Sequence, residues 1–350
     1  MVLKTRVYSW RSQLLAKVSE PQAKPCNSYA NKDVQNVSKS LNLLNVAAAE
    51  CGALLSDAPV IHEHKHAGTR NASGDDQLVL DIECDNAVFE AVRKCGVYAM
   101  ACSEETPVET PIEGPDGEVQ QYTLGFDPLD GSSIIDANFA IGGIFGLWKS
   151  KTGLMGLTGR DQIASAVSMY GPRTTLAIAL AAGARQSDDG KGCVFEVTLV
   201  EGRAKWKVTQ SEIWLEKVGK VFAPGNLRAT NDNINYQRLV NHWITERYTL
   251  RYSGGMVPDV YHIFIKGKGV FANVSSEKAR AKLRLVYEVA PIGLLVELAG
   301  GRAIHESMQP VTCVLDIKIE DLDQRLGLCL GSADEVEKYC KFMFEPNSSS

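Results

Sequence analysis

The octapeptide Phe126-Asp127-Pro128-Leu129-Asp130-Gly131-Ser132-Ser133 constrains this chain more than any other stretch. A proline fixes its own φ and biases the residue before it out of the helical region, so a strand over residues 122–126 is expected to end here. Asp127 and Asp130 can then converge on one point, with the Leu129 carbonyl between them. Such a mixture of hard oxygen donors suits a cation such as Mg²⁺. Gly131 permits close backbone approach, and the N–H groups of Gly131 and Ser132 can face an anion. An ordinary Asx-type turn with two aspartates would look the same over this stretch. The decision falls to the rest of the chain.

Three further acidic stations accompany the octapeptide. Ser103-Glu104-Glu105 follows the apolar run 97–102, which reads as a short buried strand. Strand ends in open α/β sheets are where ligand sites assemble, and adjacent residues on an extended chain point to opposite faces. Glu104 and Glu105 are therefore expected to do different work. Asp75 and Asp81 flank the first turns of a helix expected to run to about Lys94, where aspartates also serve as caps. Helices are also expected at about 41–55 and 161–170, and strands near 143–148, 174–180 and 193–200. Glu288 stands among Val286, Tyr287, Val289 and Ala290 in a segment read as helix, with Pro291 near its start or at a kink. A buried glutamate needs a partner, and a metal is a good one, whereas an exposed helix face would need none.

These stations resemble those of the magnesium-dependent phosphatases of the inositol-monophosphatase and fructose-bisphosphatase superfamily: an acidic pair, a D-P-L-D-G-[ST] turn and a distal carboxylate. The resemblance runs over about residues 40–343. Segments 126–136, 170–175, 224–230, 248–259 and 282–288 are most similar to the sedoheptulose-bisphosphatase branch. The resemblance implies an α/β (α+β) chain of layered helices and mixed β-sheets, the sugar-phosphatase fold, with two intimate sub-domains. It places the metal-binding sub-domain at 41–220 and the sugar-phosphate-binding sub-domain at 221–343, between an N-terminal extension at 1–40 and a tail at 344–350.

The chemistry implied is hydrolysis of the 1-phosphate of sedoheptulose 1,7-bisphosphate by a metal-activated water, with two or three Mg²⁺ per site and Mn²⁺ as a substitute. By resemblance, Glu104 and Asp127 bridge metals, Asp130 and Glu288 complete one site, and the Leu129 carbonyl binds the second. Asp75 touches a third metal or the loop that closes over the site, while Glu105, with Asp81 nearby, orients and deprotonates the water. Gly131, Ser132 and Ser133 hold the cleaved phosphate. Asn226, Arg228, Arg251, Tyr252, Gly254, Met256 and Lys282 grip the sugar and its second phosphate. In fructose-bisphosphatases the arginine of the segment matching Arg251 reaches into a neighbouring subunit, so a homodimer or homotetramer is expected. Those enzymes carry aromatic residues where this chain has Ala229 and Ala272-Asn273, which is read as leaving room for a seven-carbon sugar. Fructose 1,6-bisphosphate is the alternative substrate. Gln121 in place of a family lysine argues against AMP control. A catalytically dead relative would lack a metal carboxylate, and all are present.

Composition narrows the partners. A net charge of −5 offers nothing to nucleic acid or an anionic membrane surface, and the apolar stretch 175–184 is too short to span a bilayer. Nine cysteines without paired spacing fit a reducing compartment and a cytoplasmic protein. Residues 1–19 carry Lys4, Arg6, Arg11 and Lys17 with no acid, weakly like a transit peptide, so a plastid or other organelle is the alternative. The stretch 62–74 lacks the cysteine pair of thioredoxin-regulated relatives, and its His62-Glu63-His64-Lys65-His66 tract reads as a solvated loop rather than a metal site.

Overall fold

The computed structural model describes residues 28–57, 66–70, 76–113, 120–182, 192–200 and 205–345. Helix α1 (Ser28–Asp57) is followed by a short antiparallel pair, β1 (His66–Arg70) and β2 (Asp76–Leu78), that leads into helix α2 (Val79–Cys95). The chain then lays down β3 (Tyr98–Ser103), β4 (Thr110–Pro111), β5 (Tyr122–Asp130), β6 (Ile141–Trp148), β7 (Gln162–Tyr170), β8 (Thr174–Leu180), β9 (Cys193–Val200) and β10 (Lys205–Gln210). They form one sheet in the order β10-β9-β8-β7-β6-β5-β3-β4, antiparallel throughout except where β3 runs parallel to β5.

A second sheet takes β11 (Val221–Gly225), β12 (Thr249–Leu250), β13 (Val270–Asn273), β15 (Arg302–His305) and β17 (Leu328–Gly331) in the order β12-β11-β13-β17-β15. Strands β14 (Leu283–Arg284) and β16 (Arg325–Leu326) pair separately. The C-terminal helices are α3 (Ile234–Thr245), α4 (Met256–Lys266), α5 (Ala290–Leu298) and α6 (Ala333–Phe344).

Strand alternation sorts these elements into five layers. Leu176, Ile178 and Leu180 of β8 pack with α1 and α2, while Ala177 and Ala179 between them face α4 and α5. In the second sheet, Phe271, Leu328 and Leu330 face that same middle helical layer. Val270, Ala272 and Cys329 point the other way, to α3 and α6. The order is thus helix, sheet, helix, sheet, helix. Gly142 shows how closely the middle layer seats, since a Cβ there would lie 2.4 Å from Val257 Cγ1 of α4.

Three expectations change. Residues 161–170, read as helix, form β7 instead. Its two faces are both covered, by α1 on one side and α5 on the other, so it reads as a continuous run of small and apolar residues. Periodicity cannot separate such a run from a buried helix. The helix expected from Leu41 starts at Ser28, inside the stretch expected to be an extension. There Val37 is buried, and Ser40 Oγ satisfies itself on the Asn36 carbonyl at 3.0 Å. Strand β5 does not stop at Phe126 but continues to Asp130. Among the described residues no helix is long and apolar enough to cross a membrane.

Candidate active site

The continuation of β5 builds the site. Its parallel partner β3 ends with Ser103 opposite Phe126, and beyond that point β5 pairs with β6. Asp127 lies opposite Ile144 and Asp130 opposite Gly142, so three steps on one strand face two on the other. Pro128 falls in this bulge, where the ladder hydrogen bond it cannot donate is not required. The bulge turns both carboxylates inward. Asp127 Oδ1 accepts from the Leu129 N–H at 2.9 Å, and Asp130 Oδ2 accepts from the Val257 N–H at 2.6 Å. Asp130 thereby occupies the N-terminus of α4, where unpaired amides and the helix dipole favour an anion. Gly131 then takes a left-handed φ of 87°, and a Cβ there would lie tightly, 3.3 Å from Gly255 Cα.

Glu288 arrives from the opposite side. Residues Leu285–Val289 form a single π-helical turn that runs into α5, with Pro291 in the first turn of that helix. Its extra residue per turn is a device frequent at functional sites. Glu288 is 5% exposed, so the exposed-face alternative fails, and its Oε2 accepts from the Arg284 N–H at 2.5 Å. Arg284 is not among the expected site residues. It is 4% exposed; its Nη1 is paired with Glu104 and its Nε donates to Asp323 Oδ1 at 2.8 Å. A buried arginine with two carboxylate partners is invisible to periodicity, because Asp323 is 39 residues away.

Burial, and then the neighbouring Glu104, Asp130 and Glu288 carboxylates, push Asp127 well above the usual carboxylate range. Burial likewise raises Asp130, to about 7, against the Val257 amide that lowers it. Glu288 is driven well up by burial, then by Glu104 and Asp130. These four carboxylates share one buried region with a single guanidinium, a donor set of hard oxygens short of positive charge. It fits a divalent cation in kind. With Arg284 and backbone amides engaging these carboxylates, no group of three or more described His, Cys, Asp or Glu residues is disposed to hold one ion.

The same electrostatics set a stability prediction. A carboxylate whose folded pKa is raised stabilises the fold fully below its unfolded pKa of ~4, and that contribution is lost as pH rises through the folded value, about 7 for Asp130. Chelator-treated protein should melt at falling temperature from about pH 5 to about pH 8, and excess Mg²⁺ should flatten the fall. A melting temperature that ignores both pH and Mg²⁺ would refute the coupling.

A second acidic group adjoins the first. Asp81 sits at the third position of α2, where its Oδ2 accepts from the Leu78 N–H at 2.9 Å. It is both a cap and a buried acid: burial first, then Glu105 and Glu104, raise it to about 7 against that amide. Asp85, one helical turn on, is also buried and is raised to about 6, by burial and then by Glu105, against hydroxyl donors that lower it. The expectation of a catalytic pair Glu105 and Asp81 thus finds the two near each other. Asp75 and residues 62–65 lie outside the described residues.

A cavity of about 210 Å³ opens beside the bulge. Of the expected substrate residues, Gly131, Ser132, Ser133, Tyr252, Gly254 and Met256 line it, together with Asp130. Arg228, Arg251 and Lys282 are exposed and contribute nothing to its wall. Asn226 does not line it either; its Nδ2 is spent on the Val274 and Ala279 carbonyls at 2.7 and 2.9 Å. Asn273, where relatives carry a ring, is part of the wall, and Asp259 and Phe271, not among the expected site residues, help complete it. Asp259 accepts from the Ser253 and Gly254 amides at 2.6 and 3.3 Å and so holds the Tyr252 loop. The room-making role given to Ala229 and Ala272 is wrong. Both are fully buried in the outer core with Tyr236 and Cys329, because alternation along β13 turns Ala272 away from the cavity and Asn273 into its wall.

Five alternating layers and an acidic cluster at a strand bulge define the sugar-phosphatase fold class. Residues 23–189 match the family description Fructose-1-6-bisphosphatase, N-terminal domain, and residues 215–344 match Fructose-1-6-bisphosphatase, C-terminal domain. The chain is 46% identical over 275 residues to the chloroplastic sedoheptulose-1,7-bisphosphatase of Spinacia oleracea, spanning 78% of this chain and 66% of that protein's length. It is 33% identical over 313 residues to the class 1 fructose-1,6-bisphosphatase of Pelobacter propionicus, covering 89% of this chain and 91% of that one. A crystal structure from Toxoplasma gondii, provisionally named a sedoheptulose-1,7 bisphosphatase, superposes with a TM-score of 0.78 at 32% identity over 92% of this chain and 99% of that one. The chain belongs to the fructose-1,6-bisphosphatase family.

Proposed function

We propose that this chain is a metal-dependent phosphoric monoester hydrolase that releases the 1-phosphate of sedoheptulose 1,7-bisphosphate. One observation carries the reading: buried Asp127, Asp130 and Glu288, with half-buried Glu104, form a carboxylate group that meets, through Asp130, the cavity walled by Gly131, Ser132 and Ser133. The preference for a seven-carbon sugar leans on the similarity to the spinach protein. Phosphate-monoester hydrolysis is among the slowest reactions in water, requiring acceleration of up to ~10²¹-fold. Mg²⁺ bound here would supply Lewis acidity toward the phosphate and its leaving oxygen.

The chain's own residues divide the remaining work. Glu104, Asp127, Asp130 and Glu288, with the Leu129 carbonyl, would hold the metal, Mg²⁺ or Mn²⁺, after Glu104 turns away from Arg284. Arg284 would then keep Asp323 and return to Glu104 when the site is empty. Asp75 is a further proposed ligand. Glu105, beside Asp81, would take the proton of the attacking water; a general base contributes ~10²–10⁴-fold. The amides at Gly131 and Ser132 would fix the phosphate, and Tyr252, Gly254 and Met256 the sugar. Arg228, Arg251 and Lys282, exposed and outside the cavity wall, would serve the distal phosphate, with Arg251 reaching a neighbouring subunit of a homodimer or homotetramer. The compartment is proposed as cytoplasmic, since nine cysteines without paired spacing suit a reducing environment, with a plastid or another organelle as the alternative.

Similarity to class 1 fructose-1,6-bisphosphatases supports a second reading, hydrolysis of the six-carbon bisphosphate. Phosphate release from both sugars with Mg²⁺, compared as kcat/KM, tests the two. A clear preference for the seven-carbon sugar is expected; a size filter alone separates one carbon by ~1–3 kcal/mol, or ~10–200-fold. Equal or reversed preference would leave the metal chemistry standing and sink the substrate assignment.

A further inference from the structure

Helix α2 carries a second buried acid that the chemistry above leaves without a task. Asp85 follows Asp81 by four residues, which puts both on one helical face. An isolated buried carboxylate is unfavourable, more so beside Asp81 and Glu105, so its presence requires a partner and a reason. Two hydroxyls of one turn face it: Thr106 Oγ1 donates to Asp85 Oδ2 at 3.1 Å, and the Ser103 hydroxyl also favours its charged form. Thr106 closes the turn that bears both glutamates: its N–H donates to Ser103 Oγ at 2.8 Å, and its carbonyl accepts from the Ser103 N–H at 3.0 Å. Within the turn, the Glu104 N–H is anchored on the Phe126 carbonyl at 3.1 Å. One end of the Glu104-Glu105 turn is thus sewn to the central sheet, and the other is tied to α2 through Thr106 and Asp85.

We propose that Asp85 is a positioning residue: through Thr106 it sets the Glu104-Glu105 turn against helix α2, holding Glu105 toward Asp81 and Glu104 toward the strand bulge. This rests on the assignment of Glu104 to metal and Glu105 to water. Asp85 touches neither substrate nor metal. Its effect is the geometric one by which a shift of ~1 Å in a reacting group lowers a rate ~10²-fold.

The test uses the full chain and four variants, Asp85→Ala, Asp85→Asn, Thr106→Val and the double variant Asp85→Ala/Thr106→Val. Two readouts are taken, steady-state turnover and direct Mn²⁺ binding by electron paramagnetic resonance. Asp85→Ala and Thr106→Val should each lower kcat by ~10–100-fold with KM within ~2-fold, and weaken Mn²⁺ binding by ~10-fold. The double variant should be no worse than Asp85→Ala, because the tie that Thr106→Val breaks is already gone there. Asp85→Asn keeps an oxygen that accepts the Thr106 hydroxyl and should stay within ~3-fold of the parent on both readouts. Losses that multiply in the double variant, or an Asp85→Asn as damaged as Asp85→Ala, would overturn the proposal. If Asp85→Ala does not fold, Thr106→Val and Asp85→Asn still decide it. If the parent protein hydrolyses neither sugar bisphosphate, the functional reading fails, and the Mn²⁺ measurements alone judge Asp85.

Discussion

Asp130→Asn should lower kcat at least ~1,000-fold at saturating Mg²⁺ while leaving the fold intact. A metal-stabilised transition state draws several kcal/mol from the ion, and ~4 kcal/mol corresponds to about 10³ in rate. The substitution removes one of the charges proposed to hold that ion. It need not disturb α4, since an asparagine carbonyl oxygen can still accept the Val257 N–H that Asp130 now accepts at 2.6 Å. Metal-free at about pH 8, the variant should melt no lower than the parent, because one source of repulsion among buried carboxylates is gone. The rise in melting temperature on adding Mg²⁺ should shrink in the variant. Turnover within ~10-fold of the parent, with an undiminished Mg²⁺ response, would remove Asp130 from the metal site.

Glu105→Gln is the second large effect, a fall in kcat of ~10²–10⁴-fold, and it should differ in kind. Glu105 lies close enough to Asp81 and Asp85 to raise both, whereas the largest influences on Asp127, Asp130 and Glu288 come from burial and from other groups, Glu104 among them. That difference is the ground for proposing Glu105 for the water rather than for the ion. The variant should therefore keep the Mg²⁺ half-saturation and the KM of the parent, so that kcat and kcat/KM fall together. The acidic limb of the pH–rate profile should flatten, since the proton acceptor is lost. A raised Mg²⁺ requirement with nearly normal kcat would instead make Glu105 a metal ligand.

Local chemistry made much of the site legible. The bulge residues Asp127 and Asp130 announce themselves because proline, glycine and two acids in one octapeptide have few backbone solutions. Glu288 was visible as an acid among apolar neighbours, and burial bears that out. The strands expected at 174–180 and 193–200 stand with those bounds. Strand β7 was misread for a reason in the same physics: covered on both faces, it lost the alternation that marks a strand.

Other features are long-range and leave no local trace. The ion pair of Arg284 with Glu104 joins residues 180 apart, and the amide that holds Asp130 comes from 127 residues downstream. Asp85 looks like one more polar residue on α2 until Thr106 is found beside it, 21 residues on. Ala272 and Asn273 make the contrast sharpest. Sequence alone established that no large ring stands there, because residue identity is a local fact. Which of the two faces the cavity depended on the register of β13 between β11 and β17 and on which face of that sheet the outer helices cover. Residue types determined the available chemistry; the pairing of strands and the stacking of layers decided which side chains meet, since backbone hydrogen bonding and burial act between segments that are distant along the chain.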